Sequence, residues 1–419
     1  MTAVGGMTMN RREVIAAGVS GLMWAPTWAG NVSKAKRLNL RRLRRVRTLL
    51  EKNIDSGVIA GGVALILSRG ETVVLEAAGY QDLATRAPMR EDTIFQIMSM
   101  SKPFIAAAVM ALVEANKLSL TDPIDKHLPE FGDPWLIANR DEGRLELRRP
   151  TRTPTIFELL THSAGVIDMP AVIGRGRFPF KLTLSLAEIA GMVSQSPLDY
   201  EPGTQSVYSN AGIAMAARIV EKVAGVAYDT FVEEHCFKPL GMADSFFYPK
   251  QAHWPRIPSC YQRMEGRLVE MGDGTPGGPN TRLRVGARCP VPEAGIYATA
   301  SDIAKFYQLM LTAGRWQGTQ VLSETSVNEM IKPHTRTNAE PGTDRYGTDQ
   351  GLAWRVARSS TGSHREPVTA SASVSHAGAL GTYGWADPQH DLVGILQIQQ
   401  PDALELRRDF VALVRDALR

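Results

Sequence analysis

The chain has 419 residues, of which 44% are hydrophobic and 21% charged, and its formal net charge is +4. That balance is ordinary for a soluble globular protein, leaves enough apolar material for a large core, and at this length favours two lobes over one compact unit. The small net charge excludes a nucleic-acid partner recruited by bulk electrostatics, and none is expected.

The N-terminus carries an export pattern. Asn10-Arg11-Arg12-Glu13 precedes an apolar run from Val14 to Ala25 and then Pro26-Thr27-Trp28-Ala29. A charged start, a short apolar core and a small residue at the end predict a secretory signal over residues 1–29, and the paired arginines point to the twin-arginine route. The alternatives are an uncleaved anchor or a wrong start codon. About twelve apolar residues fall short of the roughly twenty that cross a bilayer. No stable membrane span is therefore expected, and the predicted location is periplasmic or secreted.

Residues 34–50 alternate Lys and Arg with Leu40, Leu43, Val46 and Leu50, which predicts an amphipathic helix with a basic outer face. A solvated face on a helix lying against a sheet is preferred here to an anion- or membrane-binding patch. Val63–Leu67 and Thr72–Glu76, separated by Ser68-Arg69-Gly70-Glu71, read as a hairpin. Residues 100–117 read as a helix with Phe104, Ala107, Ala108, Met110, Ala111 and Leu112 on a wide apolar face. Pro103 lies in or near its first turn, where a missing N–H costs little.

Thr155-Ile156-Phe157-Glu158 and Ser185-Leu186-Ala187-Glu188 both match the capping box that opens a helix. Glu201-Pro202-Gly203 is a turn, and residues 211–224 continue as a helix with Ile213, Ala216, Ile219, Val220 and Val223 on one side. The Pro/Gly-rich stretch 272–295 reads as loop, and Ser301-Asp302 starts a helix running to about Gly314. Strands then return at Ser373–His376, Gly381–Ala386 and Leu392–Ile398, followed by a closing helix, Ala403–Leu418.

Strands at both ends with helices between them predict an α+β fold, in which the two terminal segments share one antiparallel sheet flanked by helices and a helical lobe is inserted. The expected folded domain is 38–419, divided into an α/β lobe at about 38–105 and 290–419 and an all-helical lobe at about 106–289. Cys236, Cys260 and Cys289 are an odd count, which allows one bridge and a free thiol or three buried small apolar residues. No His/Cys group has metal-ligand spacing, so no metal is expected.

Three short strings carry the chemistry: Ser99-Met100-Ser101-Lys102, Tyr208-Ser209-Asn210 and His376-Ala377-Gly378. Ser-x-x-Lys alone is weak, arising about once by chance at this length, and it recurs at Ser33-Lys34-Ala35-Lys36 without companions. Alone, the strings also read as a capped helix start with a surface lysine, turn residues before a helix, and a buried strand end. Their order and the elements they fall on favour a site.

A serine hydroxyl needs a base to become a useful nucleophile. Positions i and i+3 of a helix share a face, so Ser99 and Lys102 can meet, and a helix starting near Ser99 aims backbone N–H groups at a developing oxyanion. A lysine with pKa near 10.4 must drop about three units to act as base at neutral pH, costing roughly 4 kcal/mol. Tyrosinate stabilised by a neighbouring ammonium is the easier arrangement of Lys102 and Tyr208, although a coupled pair has no single proton holder. Thr161-His162-Ser163-Ala164-Gly165 resembles a nucleophile elbow, but it has Thr where the tight turn wants Gly and it follows a helix; it reads as a structural turn.

From about residue 40 to 419 the chain resembles the class C β-lactamase-like serine hydrolases, a group with D,D-carboxypeptidases, D-aminopeptidases and family VIII esterases. Phe95-Gln96-Ile97 leading into Ser99-Met100-Ser101-Lys102, Leu118-Ser119-Leu120-Thr121-Asp122-Pro123, Ile156 through Gly165, Tyr208-Ser209-Asn210-Ala211-Gly212, Pro239-Leu240-Gly241-Met242 and Gly295-Ile296-Tyr297-Ala298-Thr299 carry the likeness. The resemblance implies Ser99 as acylated nucleophile, Lys102 and Tyr208 as the proton-moving pair, and Asn210 as a contact on the substrate's carbonyl side; His376 and Gly378 read as substrate-binding residues on the strand edge that would hold the acyl group. The resemblance also implies an oxyanion hole from the N–H groups of Ser99 and Ala379, and no cofactor. Penicillin-recognising members carry Lys-Thr-Gly or Lys-Ser-Gly where His376-Ala377-Gly378 stands, a departure that argues against efficient β-lactam cleavage. The expected function is an exported serine hydrolase acting through an acyl-serine on small esters, amides or peptides. The alternatives are a β-lactamase, an acyltransferase or a non-catalytic ligand-binding relative.

Overall fold

The computed structural model describes residues 38–141, 144–168, 178–336, 348–363, 366–401 and 403–418. The predicted export segment and Ser33-Lys34-Ala35-Lys36 lie outside these residues.

The basic segment forms one turn, Leu40–Leu43, and then α1, Arg45–Asp55. Leu43, Val46 and Leu50 are buried, whereas Leu40 is exposed. At 100° per residue Leu40 lies about 90° off the stripe those three define.

Strand β1, Gly61–Ser68, turns into β2, Glu71–Asp82, through Arg69 and Gly70. Both turn residues have positive φ, 54° and 77°, and a turn of that hand matches the natural twist of paired strands. The short β3, Ala87–Pro88, pairs with β2. Late in the chain come β4 (Thr335–Arg336), β5 (Thr348–Gln350), β6 (Arg355–Ala357), β7 (Val374–Ala377), β8 (Tyr383–Asp387) and β9 (Leu392–Gln397). Together they form a nine-stranded sheet in the order β4-β5-β6-β7-β8-β9-β1-β2-β3, antiparallel throughout. The junction of β9 with β1, Leu65 opposite Ile395, is the predicted union of the chain's two ends.

Both faces of this sheet are covered, which is why β1 reads as an unbroken apolar run. Val63, Leu65 and Leu67 join a core with Phe104 and Phe306. Ala64 and Ile66, pointing the other way by the two-residue period of a strand, join a second core with Val46, Leu50 and Phe410. On β8 the indole of Trp385 lies across Gly394 of β9, where a Cβ would come within 2.1 Å of the ring. Only glycine leaves that space.

The first core is organised by α2, Lys102–Glu114, nearly all of whose residues are buried, with Phe104 stacked on Phe306 at 3.8 Å between ring centroids. Around it stand α3 (Ile156–Leu160), α4 (Leu186–Ser194), α5 (Asn210–Ala224) and α6 (Ala300–Leu311). Both predicted capping boxes are formed, with Thr155 and Glu158 opening α3 and Ser185 and Glu188 opening α4. Helix α6 begins one residue before the predicted Ser301, because Thr299 caps it by accepting the N–H of Asp302 at 3.2 Å. The closing helix is α7, Leu404–Ala417.

Alongside its helices the inserted stretch carries two hairpins, Leu136–Asp141 with Arg144–Arg148 and Tyr261–Met264 with Arg267–Glu270. Their strands are short and mostly exposed, so they lack the in-out alternation that reveals a half-buried strand. Cys236, Cys260 and Cys289 are buried free thiols. Among the described residues no helix is long and apolar enough to cross a membrane.

Candidate active site

Phe95–Gln96 pairs with Tyr297–Ala298, and Ile97 N–H donates to Ile296 O at 3.0 Å, so the segment entering the Ser99 region is held along one edge by residues 296–298. Met98 then takes φ 52°, a left-handed conformation uncommon for a bulky buried residue,. A 3₁₀ turn, Met98–Ser101, precedes α2, so the α-helix starts at Lys102 and not at Ser99. The tighter turn still keeps the pair together: Lys102 Nζ donates to Ser99 Oγ at 3.0 Å.

Lys102 is 0% exposed, and its Nζ also donates to the backbone carbonyl of Glu293 at 2.9 Å. Burial pushes its ammonium down from 10.5 to about 7, with Glu293 and Asp168 opposing that shift and Lys181 and Arg355 reinforcing it,. The drop that looked expensive from sequence is supplied by the α2 core itself. Behind the Glu293 carbonyl its carboxylate forms a buried ion pair with Lys181. Neither partner stands out by local spacing, although a glutamate inside the apolar run Cys289 to Ile296 is a sign of a paired buried charge.

Tyr208 lies on an irregular segment just ahead of α5. Lys102 Nζ sits 4.7 Å from the centroid of its ring, and the guanidinium of Arg355 on β6 sits 5.3 Å away. The rings of His162 and His376 are 4.7 and 6.5 Å from it. Both imidazoles are held well below their ordinary pKa, chiefly by burial and then by the Lys102 and Arg355 charges. Asn210, the first residue of α5, is tied through Nδ2 to Asp168 Oδ1 at 3.0 Å. Ser209 caps the helix by accepting the N–H of Gly212 at 2.9 Å.

The last wall is the end of β7. His376 is buried, and its Nδ1 lies 3.1 Å from the carbonyl of Ala377. Gly378 is where the strand end meets the serine turn: a Cβ there would lie 2.5 Å from Ile97 O and 2.0 Å from Thr382 Oγ1, and that hydroxyl itself donates to Ile97 O at 2.9 Å. Ala379, exposed in the next turn, gives its N–H to no other group among the described residues. The three strings thus converge, Ser99 and Lys102 in direct contact, Tyr208 against Lys102, and β7 against the turn that holds Ser99. His162, Arg355 and the Lys181–Glu293 pair are site residues with no part in the sequence-based assignment. The rival serine is not one of them, since Ser163 Oγ is paired with Thr161 Oγ1 at 2.9 Å in a turn after α3.

The sequence model of the Beta-lactamase family matches residues 46–418. The chain belongs to the Beta-lactamase family. It is a serine hydrolase of that family's fold. Among similar members, "Protein Rv1367c" of Mycobacterium tuberculosis is 30% identical over 373 residues, covering 83% of this chain and 88% of that one. "Esterase EstB" of Burkholderia gladioli is 28% identical over 281 residues, 62% of this chain and 68% of its own. The solved structure of "EstCE1, a hydrolase with promiscuous acyltransferase activity" superposes with a TM-score of 0.75 at 24% identity, over 91% of this chain and 99% of that one, and so shares the Beta-lactamase-family fold.

Proposed function

We propose that this chain is an exported carboxylesterase-like hydrolase that cleaves small uncharged esters, and more slowly amides, through an acyl-Ser99 intermediate. The observation that carries the reading is the 3.0 Å contact of Ser99 Oγ with a fully buried Lys102 whose pKa is pushed to about 7. A neutral amine beside the hydroxyl is then available near neutral pH.

Ser99 Oγ gives its proton to the Lys102–Tyr208 pair as its oxygen bonds to the substrate carbonyl carbon. The carbonyl oxygen takes the displaced electron pair and is received by the N–H groups of Ser99 and Ala379. Collapse breaks the bond to the leaving alkoxide, which recovers the proton from the pair. Water repeats the sequence in reverse, releasing the acid and restoring Ser99.

His376 supports the choice of uncharged esters. A terminal carboxylate on a D-peptide or β-lactam needs a cation on β7, and a buried imidazole kept neutral offers none,. The name of the Burkholderia gladioli relative, an esterase, agrees with this preference. Export rests on Arg11-Arg12 and the apolar run after them,.

The test is covalent. Short p-nitrophenyl esters should turn over, and a fluorophosphonate should add its mass to the peptide containing Ser99. Ser99→Ala should abolish both, and turnover surviving in that variant would refute the assignment. Protein recovered from the periplasm of a host with a twin-arginine system should begin near residue 30, whereas an intact Met1 there would rule out signal cleavage.

A further inference from the structure

Tyr208 occupies a stretch with no helix or strand to hold it, yet its ring must stay over Lys102. The two residues flanking it in the chain are both held by one distant residue. Val207 N–H donates to the backbone carbonyl of His162 at 2.9 Å, and Ser209 N–H donates to His162 Nδ1 at 3.2 Å. The His162 ring itself lies 4.7 Å from the Tyr208 ring, at 36° between their planes. Tyr200 completes the bracket, because its hydroxyl donates to His162 O at 2.9 Å and accepts from Val207 N–H at 3.2 Å. Both ends of the Tyr208 segment are thereby fastened to the same side chain and its own carbonyl.

The backbone at His162 allows this double grip. Its φ is 58°, a left-handed conformation that only a few side chains adopt readily, histidine and asparagine among them. Placed just after α3, it lets the carbonyl and the ring address the same neighbouring segment. Accepting a backbone N–H at Nδ1 requires that nitrogen to be unprotonated, so the ring proton resides on Nε2. A doubly protonated ring would have no acceptor for Ser209, and burial together with the Arg355 and Lys102 charges keeps that form away.

We propose that His162 is the positioning residue for Tyr208: its Nδ1 takes the N–H of Ser209 and its carbonyl that of Val207, which holds the tyrosine ring over Lys102 in the productive place. The inference rests on the acyl-Ser99 reading above and adds to it a residue that touches no reacting atom.

The test compares His162→Asn, His162→Phe and His162→Ala in the full chain, with kcat expressed per fluorophosphonate-titrated Ser99. Asn keeps an acceptor where Nδ1 stood and tolerates the left-handed backbone, so His162→Asn should retain kcat within about threefold. Phe keeps a ring but leaves Ser209 N–H unpaired. It should fall with Ala by about 10²-fold in kcat per labelled site while KM stays within about twofold, the pattern of a misplaced catalytic group. Melting temperatures separate this from general damage, since a purely structural role lowers the labelled fraction and leaves kcat per site unchanged. Phe matching the wild type, or Asn failing as badly as Ala while remaining folded, overturns the proposal. Should Phe and Ala not fold, the decision falls to Asn and to His162→Gln, whose longer arm displaces the acceptor: equal kcat per site in the two overturns it. A wild-type chain that neither labels nor turns over would instead defeat the acyl-Ser99 reading.

Discussion

The two halves of the site are built by opposite means. Ser99 on the 3₁₀ turn and Lys102 at the start of α2 stand three residues apart on one continuous stretch of chain, packed against the apolar core around Phe104 and Phe306. Tyr208 stands on an irregular segment whose place is set by hydrogen bonds to His162, 46 positions earlier in the sequence. The first half is positioned by helix geometry and core packing, the second by a few polar contacts. A chemical change should therefore cost the first half more activity and the second more precision.

The largest effect separates them directly. Lys102→Met should lower kcat/KM by about 10³-fold and Tyr208→Phe by about 10²-fold, measured on one p-nitrophenyl ester. Stability should move the other way. The unfolded lysine titrates near 10.5 and the folded one near 7, so between these values the unfolded chain holds the extra proton and wild-type stability climbs with pH. Below about pH 7 the cost of the buried cation is complete. Lys102→Met should accordingly be more stable than wild type by about 2 kcal/mol at pH 6, a gap that narrows toward pH 10. Melting curves at both values check this, and a variant less stable at pH 6 would show that the buried ammonium contributes more than its desolvation costs.

Next comes the seam joining the halves. Gly378→Ala places a methyl against Ile97 O and Thr382 Oγ1, so the end of β7 must retreat from the serine turn. About 2 kcal/mol of stability and about tenfold in kcat should be lost. An unchanged kcat would mean that β7 does not set the oxyanion geometry.

A smaller and more diagnostic change is a pH shift. The rate should rise through about pH 7 as the Lys102–Tyr208 pair sheds a proton, because Lys102 is pushed to about 7,. The Glu293 charge raises that value, so Glu293→Gln should move the rising limb to lower pH. A limb moving upward or staying in place would remove the Lys181–Glu293 pair from the account. The smallest effect is the control far from the chemistry: Ser185→Ala breaks the capping box of α4 and should cost about 1 kcal/mol with no change in kcat.

Legibility follows the same division. The hairpin at Arg69-Gly70, both capping boxes and the closing strands are local patterns, and each appears where local rules put it. The short exposed hairpins at 136–148 and 261–270 escaped because neither face is consistently buried,. His162 lay inside a motif quoted for the family likeness, but as a turn after a helix it gave no local sign of reaching Tyr208. Arg355 and Lys181 had no signal at all, because each acquires its role from a neighbour more than a hundred residues away.

By itself the sequence determined the chemistry on offer: a hydroxyl and an amine one helical turn apart, a tyrosine ahead of a capped helix, a strand end with glycine where backbones meet. Those are consequences of spacing, and spacing survives in one dimension. Only the tertiary structure decided that the amine is dry enough to lose its proton near neutrality, that two histidines around it stay uncharged, and that a turn once read as inert grips the tyrosine. Burial and electrostatic environment are properties of everything packed around a group, and no short stretch of chain contains them.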